Sequence, residues 1–140
     1  MVAVVKRAIV LTDSDFTVFE GVRSARRQNR LFRKKASQLD GYHKISKHQK
    51  QSDGFGHAVD LVPWIDGQPR WEWEPIYDIA DAMQIAAEEL DVPIRWGGAW
   101  IKINGLNQSL RQAQADYVQR KLEEGKRAFP DGPHYELLPD

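Results

Sequence analysis

Gly56-His57-Ala58-Val59-Asp60-Leu61-Val62-Pro63-Trp64 decides the fold, because it sets one carboxylate inside an otherwise apolar run. Aliphatic and β-branched side chains at this density make residues 56–62 a core strand, and Pro63-Trp64-Ile65-Asp66-Gly67 reads as the turn that ends it. Strand side chains alternate between faces, so Asp60 shares its face with Ala58 while Val59, Leu61 and Val62 surround it with hydrocarbon. An ionised carboxylate in such a run is costly unless a cation or hydrogen bonds compensate for its desolvation.

Outward from that strand the pattern mixes helices and strands. Val2, Val5, Ala8, Ile9 and Leu11 recur at helical spacing, so a helix starts almost at Met1. Asp15 to Val22 is rich in aromatic and β-branched residues and reads as a strand, followed by a basic helix from Ser24 to about Lys35. Residues 37–55 are polar and glycine-punctuated, a long loop of the kind that is often functional or disordered. Beyond Pro75, the stripe Ile76, Ile79, Ala80, Met83, Ala87 and Leu90 predicts an amphipathic helix. Ile94 to Gly97 is a short strand and turn, Asn107 to Glu124 a weaker helix, and Tyr135 to Leu138 a last strand. Without regular βαβ alternation, the expected class is α+β with a small, mainly antiparallel sheet.

With 140 residues, about two-fifths of them apolar, the chain can bury one core, so residues 1–140 are expected to form a single domain without linker or repeat. Cysteine is absent, which excludes disulfides, thiolate metal ligands and a cysteine nucleophile. The short apolar run at the N-terminus carries Lys6, Arg7, Asp13 and Asp15, so neither a membrane span nor a signal peptide is expected and the product should begin in the cytoplasm. Formal neutrality hides an asymmetry: residues 1–52 hold twelve Lys/Arg against four Asp/Glu, and residues 53–140 hold eight against sixteen. Arg26, Arg27, Arg30, Arg33, Lys34 and Lys35 concentrate this charge on one helix, either as a solvated face or as a contact for an anionic polymer.

Two further stretches bear on Asp60. One is Asp131-Gly132-Pro133-His134-Tyr135-Glu136-Leu137, and the other Ser46-Lys47-His48. Two imidazoles and one carboxylate from three separated segments form a ligand set for Zn²⁺ that leaves a fourth position open. Asp131, three residues before His134 across a Gly-Pro turn, is the natural base, with Asp131-Gly132 as only a turn the lesser alternative. His134 and Glu136 share a strand face. His57 is expected to be structural or exposed, and His43 an ordinary surface residue. The five tryptophans are expected mainly to pack, with a sugar-stacking role for Trp71 and Trp73 as the alternative.

At these residues the chain resembles the zinc peptidases that include VanY-like D-Ala-D-Ala carboxypeptidases and the phage endolysins cleaving the L-Ala-D-Glu bond of peptidoglycan, the endolysin branch more closely. The resemblance rests on Asp15-Phe16-Thr17 through Glu20-Gly21-Val22-Arg23-Ser24, on Gly56 to Trp64, on Arg95-Trp96-Gly97-Gly98-Ala99-Trp100 and on Asp131 to Leu137. It implies a Hedgehog/D-Ala-D-Ala-peptidase-like fold, one zinc ion, Asp60 and His134 as ligands, and Asp131 as the acid/base carboxylate. The family's first histidine lies seven residues before its liganding Asp, where this chain has Asp53, and Ser46-Lys47-His48 carries the Ser-x-His pattern five residues earlier. The polar, glycine-terminated residues 49–54 can bulge outward at small entropic cost, which favours His48; Asp53, giving a harder, oxygen-rich site, is the alternative.

The resemblance also implies a role for Arg23 in holding a substrate carboxylate or stabilising an oxyanion, and one for Ser46 in holding ligand or substrate. The implied function is a phage lysis enzyme, a zinc endopeptidase cutting the L-Ala-D-Glu bond of the peptidoglycan stem peptide, with a D-Ala-D-Ala carboxypeptidase or a silent wall-binding module as alternatives. Such an enzyme is expected to act as a monomer, to bind no nucleic acid, and to need a holin to pass from the host cytoplasm to the periplasm and wall. Two departures stand out. Met1 falls inside the segment resembling the family's first helix, and residues 101–129 are longer than expected there, an inserted helical segment that would be either a lid or surface decoration.

Overall fold

The computed structural model describes residues 1–139. Ten elements follow in the order α1 (Val2–Leu11), β1 (Phe16–Glu20), α2 (Ala25–Arg33), β2 (Ala58–Ile65), β3 (Gln68–Pro69), α3 (Trp73–Glu89), β4 (Ile94–Trp96), β5 (Ile101–Lys102), α4 (Leu110–Glu123) and β6 (His134–Leu137). The strands pair antiparallel throughout, in the order β1-β2-β6-β4-β5 with β3 on β2, so the class is α+β.

Register assigns each side chain its face. Asp60 pairs with His134, Ala58 with Glu136, and Glu136 in turn with Arg95, placing these residues on one face. Val59 pairs with Tyr135, and Tyr135 with Trp96, on the other. That second face meets Val4 and Ala8 of α1, Ile76, Ile79, Ala80 and Met83 of α3, and Leu110, Ala113 and Tyr117 of α4 in one apolar core. Leu61, Ile79, Met83, Ile94, Trp96 and Tyr135 are almost solvent-free there, each contributing about 1.5–3 kcal/mol of hydrophobic stabilisation. Among the described residues no helix is long and apolar enough to cross a membrane.

Several expected boundaries move. β2 continues through Pro63-Trp64-Ile65, and the turn shrinks to Asp66-Gly67, both at positive φ (53° and 72°), a two-residue hairpin matched to strand twist. Pro63 is tolerated inside the strand because only its carbonyl is needed there, accepting from Arg70 N–H at 2.9 Å. Helix α3 starts at Trp73, before Pro75, since a first-turn proline lacks only an N–H that would have no helical partner. On α1 the buried stripe is Val4 and Ala8, leaving Val2 exposed. Ile101–Lys102 forms an unexpected fifth strand beside β4, and Ile103 after it is buried.

Candidate metal centre

His48 Nε2, Asp60 Oδ1 and His134 Nδ1 converge on one point. The two imidazole nitrogens lie 3.3 Å apart, and the carboxylate oxygen is 3.3 Å from the first and 3.4 Å from the second. Hydrogen bonds on the far side of each ring fix what faces inward. His48 Nδ1 lies 3.0 Å from the Gly21 carbonyl, which can only accept, so its proton sits there and Nε2 presents a lone pair. His134 Nε2 donates in the same way to Glu136 Oε2 at 2.9 Å, leaving Nδ1 inward. Asp60 Oδ1 is buried and has no hydrogen-bond partner. Three lone pairs in van der Waals contact repel one another unless a cation or a proton lies between them, and the donor set of two imidazoles and a carboxylate suits a metal ion.

Titration behaviour follows from the same crowding. Burial disfavours the charged form of His134, but the neighbouring Asp60 and Glu136 carboxylates outweigh it and raise the pKa to about 9. Burial likewise opposes ionisation of Asp60, yet the two imidazoles hold its carboxyl well below the ordinary range. Glu136 is also brought down against its burial, by His134 and then by Arg95, whose Nη1 lies 3.3 Å from Glu136 Oε1.

The long loop carrying His48 is ordered by side-chain amides, a signal the sequence reading missed. Gln28, solvent-free on α2, accepts from Arg23 and donates to Ser37 Oγ and the Leu39 carbonyl. Gln49 accepts from Ser46 N–H and donates to the Gly41 carbonyl, while Gln51 donates to the carbonyls of Ser46 and Gln49. Ser46 Oγ accepts from His48 N–H at 3.2 Å, so this serine shapes the backbone that presents the imidazole. Residues 50–56 close on themselves through a Lys50–Gly56 bridge, outside the clamp made by Arg23 N–H to the His48 carbonyl and His57 N–H to the Lys47 carbonyl.

Asp53 lies away from the cluster. Its half-exposed carboxylate accepts from Phe55 N–H and bonds His57 Nε2 at 2.6 Å, which ties off the bulge and gives His57 a structural partner. His43 sits on the surface against Asp40. Arg23 is enclosed: its side chain is only 9% exposed, bonded to Glu20 at 2.8 Å and Gln28 at 2.7 Å, with Nη2 3.9 Å from Asp60 Oδ2. Asp131 hangs from the β4–β5 turn, its N–H donating to the Gly97 carbonyl while Gly97 N–H donates to the His134 carbonyl. A Cβ at Gly97 would run into the Asp131 carbonyl oxygen and His134 Cβ, so only glycine permits this approach. Burial raises the Asp131 carboxyl above its ordinary pKa, with Asp60 adding to the shift and His134 opposing it. Arg26, Arg30 and Arg33 of α2 line a shallow cavity with Asn29 and Tyr42.

Comparison with known proteins decides the family. The phage L-alanyl-D-glutamate peptidase family matches residues 1–138. The chain belongs to that family. It is 30% identical over 136 residues to the L-alanyl-D-glutamate peptidase of Escherichia phage T5, covering 96% of this chain and 84% of that protein. It also superposes on the crystal structure of the Serratia marcescens L-Ala D-Glu endopeptidase ChiX with a TM-score of 0.65 and 29% identity, over 98% of this chain and 77% of that one. As a family member the chain is a peptidase, and the buried cluster lies on the sheet face opposite the apolar core.

Proposed function

We propose that this peptidase is a zinc-dependent endolysin that hydrolyses the L-Ala-D-Glu bond of peptidoglycan stem peptides. The observation that carries zinc is the spacing of His48, Asp60 and His134: donor atoms at about 2.0–2.1 Å from a tetrahedral ion sit roughly 3.3–3.4 Å apart, the separations found here. A zinc ion supplies a Lewis acid that polarises the scissile carbonyl and makes water nucleophilic near neutral pH. Protein side chains do the rest. Asp131 takes the proton of the attacking water on its carboxylate and delivers it to the leaving amide nitrogen, a task suited to a carboxyl whose pKa burial has raised. Arg23, with its charge fixed beside Asp60, faces the negative charge that develops on the carbonyl oxygen. Ser46 holds the His48 backbone, and Gly21 and Glu136 fix the two rings.

On this reading the enzyme is made in the host cytoplasm, works as a monomer, and reaches the wall once a holin opens the membrane. The test is digestion of purified muropeptides followed by mass spectrometry, beside metal analysis of the wild type, His48→Ala and Asp53→Ala. We expect about one zinc per chain, lost with His48→Ala and retained in Asp53→Ala, and products bearing a new D-Glu amino terminus. Release of free D-Ala instead would make the enzyme a D-Ala-D-Ala carboxypeptidase. Wall binding without cleavage and without metal would make it a silent module.

A further inference from the structure

Two arginines flank the metal cluster along the sheet face that carries it, and they differ in what they leave free. Arg23, at the β1 end, has Nε on Glu20 and Nη1 on Gln28, which leaves only Nη2, 3.9 Å from Asp60 Oδ2. Arg95, on β4 at the other end, makes one 3.3 Å bond to Glu136 and keeps a side chain that is 39% exposed. Its guanidinium lies over the Trp100 ring, 5.2 Å from the centroid, and that ring is itself 5.3 Å from the ring of His134. Trp100 is held at φ 50°, a conformation that bulky residues rarely adopt, with its indole N–H tied to the Phe129 carbonyl at 2.8 Å. A strained aromatic, pinned from behind, thus presents a half-free guanidinium next to a metal-facing histidine.

The chemistry of the substrate names what this cation meets. In an L-Ala-D-Glu bond the amino group of D-Glu is consumed, and at most one of its two carboxyls continues the peptide. The residue on the amine side of the scissile bond therefore keeps a carboxylate of its own. Asp131, which protonates that amine in the mechanism above, has its backbone anchored to Gly97, two residues beyond Arg95, while its carboxyl senses His134, Asp60, His48 and Arg23. The turn after β4 thus seats the acid that releases this residue within two positions of Arg95.

We propose that Arg95, oriented by Trp100, binds the free carboxylate of the leaving D-Glu and makes the enzyme selective for it. A guanidinium with open N–H groups matches a carboxylate fork, and stacking on the indole fixes its plane. Arg95 also touches Glu136, the partner of His134, so the same side chain links substrate recognition to the orientation of a ligand.

This rests on the L-Ala-D-Glu endopeptidase reading, and the experiment separates the two. Two stem peptides are compared, identical except that the free carboxylate of D-Glu is replaced by a carboxamide in one. Both are assayed on the same enzyme preparation, so their ratio of kcat/KM does not depend on how much metal is bound. Wild type should prefer the carboxylate by roughly ten- to hundredfold, the range of a charge-assisted hydrogen bond. In Arg95→Gln the ratio should collapse towards one, chiefly through KM for the carboxylate peptide, and Arg95→Lys should recover part of it. Trp100→Leu, which keeps the cation and removes its platform, should give an intermediate ratio. Equal loss on both peptides in Arg95→Gln would reduce Arg95 to a prop for Glu136 and overturn the proposal. A wild type that cleaves both peptides equally would also overturn it, with the endopeptidase reading intact; cleavage of neither would remove that reading and the proposal with it.

Discussion

The two faces of the strand pair β2–β6 are built from the same few residues and could hardly differ more. Val59, Leu61 and Tyr135 point into a dry core under three helices, while Asp60, His134 and Glu136 alternate with them onto the other side, where donor atoms of Asp60 and His134 crowd against His48. A packed face fixes the backbone within tenths of an ångström, and the other face uses that precision. Register couples them, because a slip of one residue would put hydrocarbon beside His48 and carboxylates in the core.

The largest effect should come from breaking the polar face. Asp60→Ala should lower cleavage at least about a thousandfold, since a metal provides several kcal/mol of transition-state stabilisation, with far-UV circular dichroism unchanged. Leu61→Ala, one residue away on the dry face, should do the opposite: about 2–5 kcal/mol of stability lost in denaturant titration, with zinc stoichiometry kept in the molecules that remain folded. Glu136→Gln should weaken zinc binding about 10- to 100-fold by competition against a chelator, since a neutral amide orients and polarises His134 less well than a carboxylate.

A proton sharpens the contrast further. With its pKa raised to about 9, His134 holds a proton near neutral pH that metal must displace. Zinc affinity should therefore climb with pH and level off above about 9, and calorimetry in buffers of different ionisation enthalpy should show close to one proton released per ion at neutral pH. In the metal-free protein the sign reverses: stability from the protonated ring is fully present below the ordinary imidazole value and is lost as pH rises through about 9. The smallest effect lies back on the dry face. Tyr135 buries a hydroxyl with no partner, so Tyr135→Phe should leave thermal stability unchanged or raise it by up to ~1 kcal/mol.

The polar face was the more legible of the two in sequence. Asp60 stood out because a charge among valines and leucines needs an explanation, and His134 and His48 supplied one. Glu136 could be placed on the face of His134 by its spacing of two, but its bond to the ring is a tertiary fact. The loop around His48 looked featureless because hydrophobic periodicity is the signal sequence reading uses, and this loop is held by the amides of Gln28, Gln49 and Gln51, which have no period. The misplaced end of β2 was recoverable: Asp66-Gly67 is a hairpin dipeptide, and Pro63 drew the turn too early. β5 is two residues long and leaves no pattern to read.

The strand order carries a consequence for how the molecule assembles. β6, the last element in the chain, is the middle strand, with β1, β2 and β3 on one side and β4 and β5 on the other. β4 and β5 are joined by a tight turn and pair locally, whereas β1 and β2 are separated by α2 and the loop that carries His48. The sheet stays in two parts until β6 slots between them, and β6 brings His134 with it. Closing the sheet and bringing His134 to His48 and Asp60 are then one step, so a chain that has not finished folding has no assembled cluster.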